Sequence, residues 1–169
     1  MTRWHKIILL AIAFAFLTAL LVITGMPLRT DSAPLGIVSM QLAGNAVNTG
    51  IILQSWGPAG RESAWLNLIV DFPYLVTYGW LLLALCRLAA SVGDGRMASL
   101  GRWCAAGAVL AAMCDAVENI ALLHELHAGA GNFAAGIAWG FASVKFLLLA
   151  IVGLYLLSAA GRAIARRIF

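Results

Sequence analysis

Four long runs of apolar residues divide the chain, and each is long enough to cross a bilayer. They cover about residues 7–24, 63–86, 104–123 and 133–157. A helix needs about 20 mostly apolar residues to span the hydrocarbon core. The pattern therefore predicts an all-α fold, in which residues 1–169 form a single membrane domain built as a four-helix transmembrane bundle.

The composition agrees with a membrane protein and leaves no room for a sizeable soluble domain. Hydrophobic residues make up 63% of the chain and charged residues only 11%, whereas soluble domains carry about 25% charged residues. The formal charge of +4 is read as a topology signal beside anionic membrane lipid. Without a basic face carrying interleaved aromatic residues, no nucleic-acid partner is expected.

The first apolar run resembles a signal peptide, because Arg3 and Lys6 precede it. No small-x-small cleavage site follows, since residues 25–29 read Gly-Met-Pro-Leu-Arg. We therefore expect this run to stay in place as a signal-anchor helix.

Residues 32–60 contain no charge and are long enough to be counted as a fifth span. The distribution of basic residues favours four spans. With four, the cytoplasmic side holds Arg3, Lys6, Arg87, Arg96, Arg102, Arg162, Arg166 and Arg167, and the outside holds only Arg29 and Arg61. The expected location is the bacterial cytoplasmic (inner) membrane, with both termini in the cytoplasm.

The uncharged segment, about residues 34–56, is then predicted to be an extra amphipathic helical segment at the outer surface. Its polar stripe has the spacing i, i+4 and i+7, and consists of Gln41, Asn45 and Asn48. Pro34 is expected to open this segment, and Gly44 and Gly50 to break it into two short pieces.

Aromatic and small residues refine the picture. Tryptophans are expected in two interfacial belts, with Trp4 and Trp103 at the inner boundary and Trp56 and Trp65 at the outer one. Gly136 and Gly140 form a small-xxx-small pair. Close packing within one chain is the simpler interpretation, and a homo-oligomer face is the alternative.

Four ionisable residues fall inside the predicted spans: Asp71, Asp115, Glu118 and Lys145. A charge at the centre of a membrane helix costs about 2.5 to 3.5 kcal/mol, so these groups need a compensating arrangement. Counted from the outer boundary, the carboxylates lie at about 8 to 12 Å and the lysine backbone at about 18 Å. Because a lysine side chain can extend toward the interface, all four charged ends are expected to meet in one layer.

Helical spacing gives this site a wider lining. Asp115, Glu118 and Asn119 lie at i, i+3 and i+4 on one face of the third span. On the second span, residues at i, i+4, i+7 and i+11 form a facing stripe made of Asn67, Asp71, Tyr74 and Tyr78. The predicted ligand-binding set is this stripe together with Asp115, Glu118, Asn119, Lys145 and Gln41.

Three carboxylates against one ammonium leave an excess of two negative charges. Either at least one carboxyl is protonated, or a cation binds in the site. A closed ionic network that only holds the helices together is the structural alternative.

A metal site is a weaker option. His124 and His127 lie just outside the third span at i, i+3 and could join the carboxylates below them as metal ligands. The second Glu-x-x-His element that di-metal bundles use is missing, and the simpler interpretation is a solvated pair of histidines. No motif identifies a cofactor.

Three segments of the chain resemble a group of small bacterial four-helix membrane proteins. These segments read LNLIVDFPYLVTYGWLLLALC, AAMCDAVENIALL and FASVKFLLLAIVGLYLL. That group carries a DF…Y element, a D-A-x-E-N element and a lysine in the last helix. The resemblance covers about two thirds of the chain and implies a shared polar site without an activity that can be transferred. In architecture alone, the chain is similar to the emopamil-binding-protein group.

Three functions fit these features. In the first, a small lipid-like or amine-bearing ligand enters from the outer side and places its polar end in the acidic site. If such a site were catalytic, a protonated carboxyl would be the general acid and its ionised neighbour the base. The second is a subunit of a proton- or cation-coupled transporter, although apolar residues fill the inner halves of the spans. The third is a structural or accessory membrane subunit.

Overall fold

The computed structural model describes the backbone of residues 2–168 and the side chains of residues 2–165. Within this part the chain forms α-helices and no β-strand. The helices are α1 (Arg3–Gly25), α2 (Ile37–Gln41), α3 (Ala46–Val92), α4 (Gly95–Ala128) and α5 (Asn132–Ile168). All except α2 are long and apolar enough to cross a membrane. The predicted all-α fold with four long helices is confirmed.

Each long helix runs antiparallel to the next long helix in the chain, which gives the bundle two distinct ends. The terminal end holds residues 2–6, 87–102 and 158–165, and the loop end holds residues 26–57 and 124–133. Helices α3, α4 and α5 pack against one another, whereas α1 packs mainly against α3. Ile7 is the one buried residue of α1, so most of this helix faces outward.

Small residues let the three inner helices approach closely. Ala108 and Ala111 on α4 and Ala138 and Ala142 on α5 are all fully buried. A Cβ added at Gly79 of α3 would lie 3.0 Å from the Cβ of Ala112. Such contacts bring backbones together where lipid provides no hydrophobic drive for helix association.

Gly136 and Gly140 take no part in this packing. A Cβ added at either position meets nothing within 4 Å, so both glycines lie on the open surface of α5. Their interpretation as a close contact within one chain was therefore wrong, and the alternative of a face between copies of the chain stays a prediction.

Residues 26–57 fold back at the loop end and form a cap over the inner helices. Here α3 is sharply kinked at Gly57, which has a φ of 60° and a ψ of −168°. Glycine tolerates this positive φ, and the following Pro58 excludes the helical conformation at residue 57. Pro58 then begins the longer part of α3, because its ring suits the first turn of a helix.

Several details of this cap differ from the sequence prediction. Gly50 is helical, and the second break falls at Gly57 instead. Pro34 lies in a turn, and Gly36 with a φ of 62° precedes α2. Asn45 is the N-cap of α3, where its side chain accepts a hydrogen bond from the Asn48 backbone. The polar stripe on a single helix was therefore wrong, because the chain turns between Gln41 and Asn45.

Trp56 joins the end of the cap to its beginning. Its indole Nε1 donates a 2.7 Å hydrogen bond to the carbonyl oxygen of Leu28, and its ring is buried. The belt position predicted for Trp56 was wrong, because this long-range bond draws the ring inward. Trp4, Trp65 and Trp103 are exposed, as belt residues would be.

The packing predicts that Gly101→Ala destabilises the protein by about 1 to 3 kcal/mol, the usual cost of overpacking. An added Cβ would lie 2.7 Å from the Cβ of Ala90 and would collide with the Tyr155 ring. The measurement is thermal unfolding of the detergent-purified protein. Gly153→Ala is the matched control on α5, because its Cβ meets nothing within 4 Å, and equal stability of the two variants would contradict the prediction.

Candidate functional site: a buried ion cluster between three helices

The centre of the site is Lys145 of α5, which pairs with two carboxylates of α4. Its Nζ lies 2.8 Å from Oδ1 of Asp115 and 2.8 Å from Oε2 of Glu118. The two acids share one face of α4 because they are three residues apart. The three side chains are between 0% and 4% exposed. They form a closed ionic contact inside the bundle.

Two hydrogen bonds extend this contact to α3. The Tyr78 hydroxyl donates to Oδ2 of Asp115 at 2.8 Å. The Asn119 amide of α4, itself fully buried, donates to Oδ2 of Asp71 at 2.7 Å. Side chains from α3, α4 and α5 thus meet in one polar layer, which we call the ion cluster: Asp71, Tyr78, Asp115, Glu118, Asn119 and Lys145.

Asp71 differs from the other two carboxylates. Its side chain keeps partial exposure, whereas Asp115 and Glu118 are buried. Among the described side chains no basic nitrogen lies within 4.0 Å of it, and the group that donates a hydrogen bond to it is the neutral amide of Asn119. Lys145 is already shared between two acids, so it cannot neutralise a third. Asp71 is therefore the acid of the ion cluster that has no counterion of its own.

The other residues predicted for this site have separate partners. Tyr74 stacks on Phe14 of α1, with ring centroids 5.2 Å apart, and meets the edge of Tyr78 at 5.5 Å. The Asn67 amide donates to the Leu21 carbonyl oxygen at 2.9 Å and to the Thr24 hydroxyl at 2.7 Å. Tyr74 thus borders the ion cluster, whereas Asn67 attaches α1 to α3.

Gln41 lies in the cap at the end of α2. It is buried, and its Oε1 has no hydrogen-bond partner. The described contacts do not place it with the ion cluster.

The two histidines at the end of α4 face outward. His124 and His127 are both exposed. Within the described residues, no group of three or more histidine, cysteine or acidic side chains is arranged to hold a metal ion. The three cysteines are buried and free.

Sequence reasoning missed one buried acid, Glu125 on α4. It is fully buried, and neither of its carboxylate oxygens has a hydrogen-bond partner. Its position seven residues after Glu118 places it on the same helix face. That spacing is visible in the sequence, but the histidines at positions 124 and 127 give this end of α4 the pattern of an exposed helix end.

Two cavities lie elsewhere in the molecule. A groove of about 350 Å³ between α3 and α4 is lined by apolar side chains such as Trp80 and Met113. A second cavity of about 530 Å³ lies at the terminal end, where Trp4, Asp94 and Arg162 contribute to its wall. Neither is lined by a member of the ion cluster.

Comparison with known proteins gave no match to a family model, to a curated protein or to a solved structure.

The ion cluster predicts a strong difference between removing one charge and removing all three. Lys145→Met leaves two carboxylates facing each other in a buried site, and the loss of one partner of a buried pair costs about 3 to 5 kcal/mol. The triple variant Asp115→Asn, Glu118→Gln, Lys145→Met removes the charges together and should recover most of this loss. Thermal unfolding in detergent is the measurement.

Lys6→Met, which removes an exposed lysine, is the control for the loss of a positive charge. A Lys145→Met protein as stable as this control would show that the ionic contact does not hold the bundle together.

Proposed function

We propose that this chain is a multi-pass membrane protein that binds a small amphiphile with a cationic head, such as a primary amine, and that Asp71 receives the cationic group. The observation that carries the proposal is the unequal state of the three acids. Lys145 pairs with Asp115 and Glu118 at 2.8 Å, whereas Asp71 is partly exposed and lacks a basic partner. The site therefore offers one unpaired carboxylate to a ligand.

Electrostatics supports a cationic ligand. An isolated carboxylate at bilayer depth is costly and pairs with an opposite charge where one is supplied. A bound ammonium would compensate Asp71 as Lys145 compensates the other two acids. Asn119 holds Asp71 in place through its 2.7 Å hydrogen bond, so the carboxylate is already positioned before a ligand arrives.

The surroundings of Asp71 suit the apolar part of such a ligand. Tyr74 and Phe14 stack beside it at the contact between α3 and α1. Helix α1 is largely exposed, so this contact lies next to lipid. A ligand dissolved in the bilayer would reach Asp71 laterally, with its tail along α1 and its head in the ion cluster.

A second candidate, a structural or accessory subunit, draws support from the closed contact around Lys145. This contact joins α4 to α5 and pairs two of the three acids with Lys145. Under this interpretation the cluster specifies helix pairing and binds nothing. Transport has less support, because the buried core between the cluster and the terminal end is apolar and includes Ala108, Val152 and Cys86.

We also propose that the terminal end lies in the cytoplasm and that the ligand enters from the outer leaflet. Six described basic residues cluster at the terminal end: Arg3, Lys6, Arg87, Arg96, Arg102 and Arg162. Arg166 and Arg167 would add to them, but their side chains lie outside the described residues. The resemblance to bacterial proteins makes the inner membrane the expected location.

This orientation predicts that a single cysteine at Ser158 near the terminal end is protected from a membrane-impermeant maleimide in intact cells. A single cysteine at Ser32 in the cap should be labelled. Both would be introduced into a chain in which the three buried cysteines are replaced by alanine, and lysed cells would provide the control for reactivity. Labelling only at Ser158 would invert the proposed topology.

Ligand binding is tested with dodecylamine as the probe and dodecanol as its uncharged counterpart. We expect the purified protein to bind the amine at least about tenfold more tightly, a modest gain for one charge-assisted contact. Asp71→Asn should remove this preference. Calorimetric titration in a non-ionic detergent measures both affinities.

Glu62→Gln is the matched control, because Glu62 is an exposed acid on the same helix. If the amine and the alcohol bind equally, or if Asp71→Asn keeps the preference, the binding proposal fails and the accessory function gains support.

A further inference from the structure

A second buried acid lies outside the ion cluster, in the loop-end half of α4. Glu125 is 0% exposed and lies two helical turns, or about 10 Å, from Glu118 toward the loop end. Leu122 stands between them on the same face and is also fully buried. This apolar side chain separates the two acids, so Glu125 is a site of its own.

Its nearest polar neighbours come from two other parts of the chain. The Thr49 hydroxyl, in the first part of α3, and the Gly131 backbone N–H, in the turn before α5, face the Glu125 carboxyl. Neither completes a hydrogen bond of normal geometry with it, and Thr49 Oγ1 has no other partner. Thr49 is itself 0% exposed. Three fully buried oxygen atoms therefore converge without satisfying one another.

No charged partner within the described side chains compensates this acid. Among the described side chains, no basic nitrogen lies within 4.0 Å of the Glu125 carboxylate, and Lys145 is committed to Asp115 and Glu118. His124 and His127 point away from it to the surface. Buried polar groups in native proteins have partners, and buried charges are paired or coordinate ions.

We propose that Glu125 and Thr49 form a binding site for a small monovalent metal cation of the sodium or potassium kind. The donors are hard oxygen atoms, which these ions prefer to nitrogen or sulfur ligands. One carboxylate balances one positive charge. Divalent ions are disfavoured, because one carboxylate would leave one of their two positive charges uncompensated in a buried site.

The position of the site gives the ion a structural role. Thr49 belongs to the cap, Glu125 to α4 and Gly131 to the α4–α5 turn, where Ala130 also lies 4.0 Å from the position of a Cβ on Gly50. An ion held by Glu125 and Thr49 ties the cap to the inner helices. The site does not depend on the amine site at Asp71, because it uses none of the same residues.

The experiment compares thermal unfolding of the full-length, detergent-purified chain in NaCl, KCl and N-methylglucamine chloride at equal ionic strength. At a tenfold excess of ion over its Kd, Na⁺ or K⁺ should raise the Tm by about 3 to 5 °C for a protein of this length. Glu125→Gln should abolish the difference between the salts, whereas Asp71→Asn and Glu62→Gln should keep it.

A second pair of variants tests the site if Glu125→Gln does not fold. Thr49→Val removes the hydroxyl with little change in shape and should lose the ion-specific shift, whereas Thr49→Ser should keep it. Equal Tm values of the wild-type protein in all three salts would overturn the proposal, as would an ion-specific shift that persists in Glu125→Gln or Thr49→Val. Loss of amine binding in Asp71→Asn has no bearing on these outcomes.

Discussion

The architecture depends on one interaction, the contact of the Lys145 ammonium with the carboxylates of Asp115 and Glu118. In a bilayer the hydrophobic effect does little to orient helices, because lipid tails solvate a leucine side chain as well as a neighbouring helix does. A buried charge does orient helices, because an unpaired charge at bilayer depth is energetically costly and a contact with an opposite charge reduces that cost. Lys145 therefore fixes which face of α5 meets α4 and at what height. Tyr78 and Asn119 then align α3 with the same layer.

Much of this layer could be predicted from residue spacing. Asp115 and Glu118 had to share a face of one helix, and a lone lysine at matching depth on another helix was their natural partner. The four long helices followed from hydropathy alone. Residue spacing could not predict which acids pair with Lys145 and which one binds only an amide, because that depends on which carboxylate oxygen each hydrogen-bond donor reaches. Nothing in the sequence distinguishes Asp71, bound by an amide, from Asp115, bound by an ammonium and a phenol.

The cap was less predictable, and the reason is physical. Its conformation is determined by contacts between residues far apart in sequence, such as the bond from the Trp56 indole to the Leu28 carbonyl and that from the Ala46 backbone to the Asn132 side chain. Local patterns of polarity cannot show these bonds, so Asn45 looked like part of a surface stripe although it caps a helix. Glu125 was missed for a related reason, because its burial depends on the cap that covers it.

Asp71 and Glu125, the two acids without a basic partner among the described side chains, are covered by elements that differ in how firmly they are attached. Glu125 lies beneath the cap, which is joined to the inner helices by a shared hydrophobic core and by hydrogen bonds such as that from the Ala46 backbone N–H to the Asn132 side chain. Such an attachment would suit the proposed ion, which would stay bound. Asp71 lies near α1, which is mostly exposed and is joined to α3 by the Asn67 amide and one aromatic stack. Since lipid can replace most contacts of α1 at little cost, the contact between α1 and α3 is the easiest part of the bundle to open. If Asp71 binds the proposed amine, exchange of that ligand would require movement of α1 alone, while the ionic contact around Lys145 keeps the other three helices together.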